Sequence, residues 1–97
     1  MAEILVDADW GLSLGVDATS SAIKAGLIEA KRQQLAQLKK KLKLSIKQSY
    51  LIDITINELS NLKTNLETRE HTLLYRRVTY LLRQIENELQ DGHSALD

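Results

Sequence analysis

The stretch that decides the fold is residues 31–56, which read KRQQLAQLKKKLKLSIKQSYLIDITI. Its apolar residues recur mostly every three or four positions, the spacing that brings side chains to one face of an α-helix. They are Leu35, Leu38, Leu42, Ile46, Ile52 and Ile56. Residues 31–52 also carry seven positive charges and no acid. The stretch therefore predicts an amphipathic helix whose apolar strip enters a core while the rest carries a positive field.

The apolar spacing continues on both sides of this stretch. Upstream it includes Ile23 and Leu27, and downstream it includes Leu59 and Leu66. The pattern favours one long helix, which we expect to begin close to residue 20 because potential N-cap residues gather there. These residues are Asp17, Thr19, Ser20 and Ser21.

Residues 42–46 and 52–56 alternate between apolar and polar side chains, which is also the pattern of a β-strand. A β-hairpin would have to turn through residues 47–50, KQSY, which lack the Gly or Asn of tight hairpin turns. We therefore predict helix here, weakened locally by its β-branched residues. A continuous helix, a kink near 47–54 and a hairpin stay open at this stage.

A turn is predicted near residues 61–65. The sequence SNLKTN at 60–65 contains two Asn, which tolerate the left-handed conformation that ends many helices. Thr64 and Glu67 then match a capping box, in which the two side chains satisfy free amides at the start of a following helix.

A last helix is predicted from about residue 65 to 90. Its apolar residues recur at heptad-like spacing and define one inner strip. They are Leu74, Val78, Leu81, Ile85 and Leu89. Gly92, after Asp91, is expected to end the helix as the residue beyond its C-cap, which leaves residues 92–97 as a tail.

The composition favours a small helical protein. The 97 residues are enough for one domain, and they include no Pro, the residue that most often stops a helix. There is no Cys, so neither disulfides nor thiolate metal sites are expected. We predict an all-α fold, either a long antiparallel helical hairpin or a three-helix bundle with coiled-coil-like packing. The helical domain is expected to span residues 19–91.

Residues 1–18 are predicted to form an N-terminal extension. Two glycines disfavour a helix around Trp10, and this acidic segment also carries Leu12 and Leu14. Two interpretations are open. The segment docks into the groove of a partner, or Trp10 and the leucines fold back onto the helices of their own chain.

The formal net charge is zero, but the charges are distributed in blocks. Residues 1–30 carry five acids and one base, residues 31–52 carry seven bases, and residues 53–97 carry eight acids and five bases. The blocks are therefore −4, +7 and −3. We expect them to pair with one another, within one chain or between chains.

The sequence predicts a cytoplasmic protein. Residues 1–15 contain acids and only a short apolar run, ILV, which does not match an export signal. No stretch approaches the roughly 20 apolar residues that are needed to span a bilayer.

No catalytic residue, metal site or cofactor is predicted. The two histidines, His71 and His93, belong to no His-x-x-x-His or Glu-x-x-His pair. There is also no Gly-rich phosphate loop, serine elbow or Cys nucleophile. His71 lies four residues after Glu67, so a local ion pair or an idle role is expected for it. We expect a non-enzyme.

A second face of the last helix carries arginines seven residues apart. The predicted partner-binding residues are Arg69, Leu73, Arg76, Tyr80 and Arg83, together with Trp10 of the extension. Arg and Tyr are enriched among interface anchors, whereas Lys is depleted there. Because Arg69 and Arg76 have no acid four residues away, we expect them to seek carboxylates on Asp53, on Glu58 or on a partner. An ordinary solvated face is the alternative.

The basic block offers an alternative surface for nucleic acid. Its residues are Lys31, Arg32, Lys39, Lys40, Lys41, Lys43 and Lys47. A helix with these side chains can lie along phosphates, but the block contains one Arg and no aromatic residue before Tyr50. A membrane partner is not expected, because Trp10 is remote from the block and its apolar face lacks bulky aromatics.

These observations predict a small, non-enzymatic helical interaction protein, such as an assembly, adaptor or chaperone-like subunit. The expected partner is a second copy or a second helical protein, because long helices with few aromatics do not bury their seams fully in a monomer. The alternative is a nucleic-acid-binding regulator that uses the basic helix Lys31–Lys47.

Overall fold

The computed structural model describes residues 21–66 and 70–96, and the side chains of residues 22–66 and 70–90. The three helices of these residues are α1 (Ser21–Lys41), α2 (Ile46–Thr64) and α3 (Glu70–Leu96). The middle helix, α2, packs against both α1 and α3. The all-α prediction is confirmed in its three-helix form, and the first helix begins close to the predicted residue 20.

The chain turns between α1 and α2 at residues 42–45, earlier than the predicted kink near 47–54. One continuous helix through this region was the wrong prediction, because residues 46–64 form a separate helix. Ser45 is the N-cap of α2, and its Oγ accepts a hydrogen bond from the backbone N–H of Gln48 at 3.1 Å. Gln48 Oε1 in turn accepts from the backbone N–H of Ser45 at 3.0 Å. This capping box starts a new helix at a place where the apolar spacing alone continues.

The core is built from one buried strip on each helix. Its residues are Ile28, Leu35, Ile52, Leu59, Leu62, Val78, Leu82, Ile85 and Leu89. Partly buried apolar side chains pack against it, and among them are Leu27, Leu38, Ile56, Leu66 and Leu74. Most of the predicted strip therefore lies in or against the core.

Three residues that the spacing placed inside are exposed instead. Ile23 is 64% exposed, Leu42 is 44% exposed and Ile46 is 90% exposed. Leu42 follows the end of α1 and Ile46 begins α2, so the periodicity of α1 does not predict whether their side chains are buried. In α1 the fully buried isoleucine is Ile28, which is not in the predicted strip.

The predicted inner strip of α3 is confirmed. Val78, Leu81, Ile85 and Leu89 are all buried, and Leu74 is half-buried. The strip is wider than predicted, since Leu82 is fully buried beside it. A helix that faces a packed core buries more than a single heptad line of side chains.

The two predicted helix ends differ from the structure. α2 does end at Thr64, but its C-cap Asn65 has φ −115° rather than a left-handed conformation. Glu67 of the predicted capping box lies outside the described residues. α3 continues past Gly92 to Leu96, so the predicted end at Asp91 and Gly92 is wrong. A glycine ends a helix when it takes a positive φ, and no described glycine has one.

Ion pairs cross both helix interfaces, and two of them, Lys39–Asp53 and Lys47–Glu88, join the basic block to the acidic block that follows it. These two are block pairs within one chain, one of the two arrangements that were expected. The ion pairs between α1 and α2 are Lys39 to Asp53 at 2.6 Å and Lys63 to Glu29 at 3.4 Å. The ion pairs between α2 and α3 are Lys47 to Glu88 at 2.9 Å and Arg77 to Glu58 at 3.4 Å. Such partly exposed pairs each contribute about 0–1 kcal/mol, so they select the helix register more than they stabilise the fold.

Within residues 21–66 and 70–96, none of the helices has both the length and the hydropathy to cross a bilayer.

Candidate partner-binding surface

The outer face of α3 carries four of the predicted partner-binding residues. They are Leu73, Arg76, Tyr80 and Arg83, and we call them the outer stripe. Their three- and four-residue spacing places them along one side of the helix, over about 15 Å of its length. Leu73 is 68% exposed and Tyr80 is 61% exposed, while both arginines are exposed. The other two predicted residues, Arg69 and Trp10, lie outside the described residues.

The guanidinium groups of Arg76 and Arg83 make no ion pair in the described structure, where no carboxylate lies within ion-pair distance of either one. The two acids predicted as acceptors for Arg69 and Arg76 are engaged elsewhere, Asp53 with Lys39 and Glu58 with Arg77. Arg77 rather than Arg76 reaches Glu58 because one residue along a helix turns the side chain by about 100° toward α2.

The rest of α3 holds the outer stripe in place. Val78 and Leu82 are fully buried on the opposite side of the helix, and Ile85 is 2% exposed. The Thr79 hydroxyl donates to the Tyr75 carbonyl at 2.8 Å, which is a common arrangement for Thr within a helix. A stripe on a well-anchored helix is pre-organised, so a partner would not have to order it.

The predicted nucleic-acid surface is not one continuous basic face. Lys31 is only 7% exposed, on the buried side of α1. Arg32 pairs with Glu29 at 2.7 Å, while Lys39 and Lys47 pair with acids on neighbouring helices. Within the basic block, the side chains that remain exposed without an ion pair in the described structure are Lys40, Lys41 and Lys43. They cluster where α1 ends and the turn begins.

An apolar surface beside these lysines was not predicted. It consists of Leu42, Ile46 and Tyr50, which are 44%, 90% and 64% exposed, and we call it the turn patch. The signal that could have found it is the sequence Ser45-Ile46-Lys47-Gln48, which matches a capping box and places Ile46 in the first turn of a new helix. Ile46 and Tyr50 then lie one helical turn apart on the same face of α2.

His71 is a core residue rather than a site residue. It is 5% exposed, its ring stacks on Tyr75 with centroids 6.3 Å apart, and neither ring nitrogen has a hydrogen-bond partner among the described residues. Burial lowers the pKa of His71, and the positive charge of Lys24 lowers it further. The imidazole is therefore held neutral in the fold. Its predicted ion-pair partner, Glu67, lies outside the described residues.

The acids near α1 act through ion pairs. The hydrogen bond from Arg32 lowers the pKa of Glu29, and a second hydrogen bond from Lys63 acts in the same direction.

Over the side chains of residues 22–66 and 70–90, no group of three or more His, Asp or Glu is placed to hold a metal ion.

Comparison with known proteins adds no further constraint. No family model, no curated protein and no solved structure matches this chain. A proposal for its function therefore rests on the surfaces described above.

Proposed function

We propose that this protein is a small, non-enzymatic helical interaction module that binds a protein partner through the outer stripe. The observation that carries the proposal is the exposure of Leu73 and Tyr80 beside Arg76 and Arg83, which have no ion pair within the described residues. Leu, Tyr and Arg together supply apolar area, a ring and planar donors for carboxylates. Arg and Tyr are also the residue types that dominate binding energy in protein interfaces.

The partner that fits this stripe is an amphipathic helix with carboxylates about one heptad apart. Arg76 and Arg83 are separated by about 10 Å along α3, so two acids one heptad apart can each meet one guanidinium. A second copy is the weaker candidate, because two facing stripes bring their guanidiniums together without a stripe carboxylate to accept them. The role we propose is that of an assembly, adaptor or chaperone-like subunit in the cytoplasm.

Nucleic acid is the second candidate partner. It is supported by Lys40, Lys41 and Lys43, which are exposed at one end of the bundle. It is weakened by the burial of Lys31 and by the ion pairs of Arg32, Lys39 and Lys47. Three open cations give a smaller salt-dependent attraction than the seven of the whole block.

The test is capture from an extract of the native source with matched baits. The informative variants are Arg76→Lys, which keeps the charge but loses the planar fork, and Tyr80→Ala, which removes the ring. The control is Arg77→Lys, which changes the same residue type one position away, on the side that faces Glu58. Calorimetry with the captured partner measures the affinities, and sedimentation equilibrium measures self-association.

We expect Arg76→Lys to weaken binding by about 1–3 kcal/mol, the range for charge-assisted hydrogen bonds. Arg77→Lys should bind as the unaltered protein does. Equal affinities for all of these variants would show that the outer stripe is ordinary solvated surface. Tight dimers that Arg76→Lys dissociates would replace the helical partner with a second copy.

A further inference from the structure

The turn patch is exposed because the fold fixes it there. Ile46, at 90% exposed, is the first residue of α2, and Tyr50 follows one helical turn later. The turn itself is held by other residues: Leu44 packs against the core, and Ser45 and Gln48 form the capping box. The apolar side chains of the turn patch lie outside the core cluster and are not among the side chains packed against it.

The open charge around the turn patch is positive. Lys40, Lys41 and Lys43 are exposed and have no ion pair within the described residues, whereas the nearby carboxylates of Asp53 and Glu88 are paired with Lys39 and Lys47. Among the described side chains, the patch thus combines exposed aliphatic and aromatic groups with three exposed lysines that neighbour it in the chain, where α1 ends and the turn begins.

We propose that the turn patch docks onto an anionic membrane surface. Ile46 and Leu42 enter the boundary between headgroups and acyl chains, and Tyr50 lies at the headgroup level, where its ring and hydroxyl both find suitable surroundings. The three lysines contact anionic lipid headgroups, and each adds to the electrostatic attraction. Apolar insertion and basic charge together give the two signals that stable peripheral binding needs.

The chemistry of the patch favours a lipid surface over a macromolecular partner. Lys is depleted in protein interfaces, and a side chain as open as Ile46 protrudes rather than lining a groove that could hold a peptide. Nucleic acid would use the lysines but has no apolar surface at its phosphates for Ile46 and Leu42. A bilayer interface satisfies both parts of the patch.

From the sequence a membrane partner is not expected, because Trp10 is remote from the basic block and the apolar face of the block lacks bulky aromatics. The apolar spacing also assigns Leu42 and Ile46 to the core. In the structure both lie on the surface, with Tyr50 beside Ile46. The proposal concerns docking on the bilayer surface only.

The first experiment is flotation with vesicles of phosphatidylcholine alone and of phosphatidylcholine with phosphatidylserine. It compares the unaltered chain with Ile46→Gln, with Tyr50→Gln and with a triple variant, Lys40→Gln, Lys41→Gln and Lys43→Gln. The matched control is Ile23→Gln, an exposed isoleucine at the opposite end of α1. Melting curves of all variants check that the fold is intact, which is expected because every substituted side chain is exposed.

We expect binding to the anionic vesicles and little binding to the neutral ones. Ile46→Gln and the triple lysine variant should each lower partitioning by about tenfold, while Ile23→Gln should leave it unchanged. Binding should fall between about 0.1 M and about 1 M salt, as the Debye length shortens from about 10 Å to about 3 Å. No preference for anionic vesicles, or an equal loss in Ile23→Gln, would overturn the proposal.

A second readout locates the inserted residue. The chain contains no Cys, so Ile46→Cys or Ile23→Cys gives a unique site for an environment-sensitive dye. The dye at residue 46 should shift to the blue with anionic vesicles, and the dye at residue 23 should not. Equal shifts at both sites would contradict docking through the turn patch.

A short DNA duplex replaces the vesicles in the last arm of the test. Tight duplex binding that the triple lysine variant weakens, and Ile46→Gln does not, would assign the patch to nucleic acid instead. Weak duplex binding alongside Ile46-dependent flotation supports the membrane surface.

Discussion

The two faces of α3 have nearly the same spacing of residues and opposite uses. The inner strip, with Val78, Leu82 and Ile85, is buried, whereas the outer stripe leaves Leu73 and Tyr80 more than half exposed. The two faces differ in residue type. The inner strip is aliphatic at successive positions, whereas the outer stripe alternates apolar or aromatic residues with Arg. The period of a helix thus identifies its faces, and the interleaved polarity decides which one enters the core.

The comparison makes its largest prediction for a pair of leucines on the same helix. Leu82→Ala should lower the free energy of unfolding by about 2–5 kcal/mol, because it leaves a cavity among fully buried neighbours. Leu73→Ala should change it by no more than about 0.5 kcal/mol. Chemical denaturation of both variants measures the difference. Similar effects at the two positions would mean that the outer stripe is also covered in the folded chain.

A smaller effect is expected for His71, the polar member of the inner face. Because its folded pKa is lowered from the ordinary 6.5, the unfolded chain binds more protons, so stability is full above that value. Stability should then be lost as the pH falls below about 6.5 toward the lower, folded pKa. His71→Leu should remove this loss and stabilise the fold by about 1 kcal/mol, since it removes two buried ring nitrogens that have no hydrogen-bond partner in the described part of the chain.

The measurement is chemical denaturation of both proteins between about pH 7 and about pH 5. This window lies above the range in which Glu29 titrates, because its pKa is lowered from 4.5. An unchanged pH dependence in His71→Leu would assign the effect to other groups, such as His93, which both proteins keep.

An effect of similar size extends the comparison to α2, where Ile52 is fully buried and Ile46 is 90% exposed. Ser45→Ala should cost about 1 kcal/mol of stability, because it removes the side-chain acceptor of the capping box. Ser49→Ala, one turn into the same helix, serves as the control and should be neutral or slightly stabilising. Melting temperatures distinguish the two variants. Equal effects would show that the turn is specified by core contacts rather than by its cap.

Much of the fold could be predicted from the sequence, because long helices repeat their signal. The inner strip of α3 was predictable because its apolar residues recur at regular spacing. Four of its five predicted members are buried in the structure. The turn was missed because the apolar spacing happens to continue across it. The capping box at Ser45 and Gln48 is a short local signal, whereas the apolar period that continues across the turn is a longer one and favours a continuous helix.

Other features depend on how three helices meet, which periodicity does not encode. Lys31 and Thr55 occupy buried positions whose polarity suggests a surface, and Thr55 does so by donating to the Leu51 carbonyl at 2.7 Å. The four described residues of the outer stripe are exposed on α3, and their use as a binding surface stays a prediction. The open state of its arginines could not be predicted, because it depends on which neighbour, Arg76 or Arg77, faces Glu58.

The side-chain amide of Gln48 connects two stages of folding. Its oxygen accepts from Ser45, three residues earlier, and its nitrogen donates to the Glu88 carbonyl at 3.0 Å, forty residues later. A chain that has closed only the α1–α2 turn has made the first bond and still exposes the second donor to water. Local contacts of this kind form quickly, and long-range ones form later. The arrival of α3 completes the pair, so this one side chain links the local turn to the long-range packing of α3 against α2.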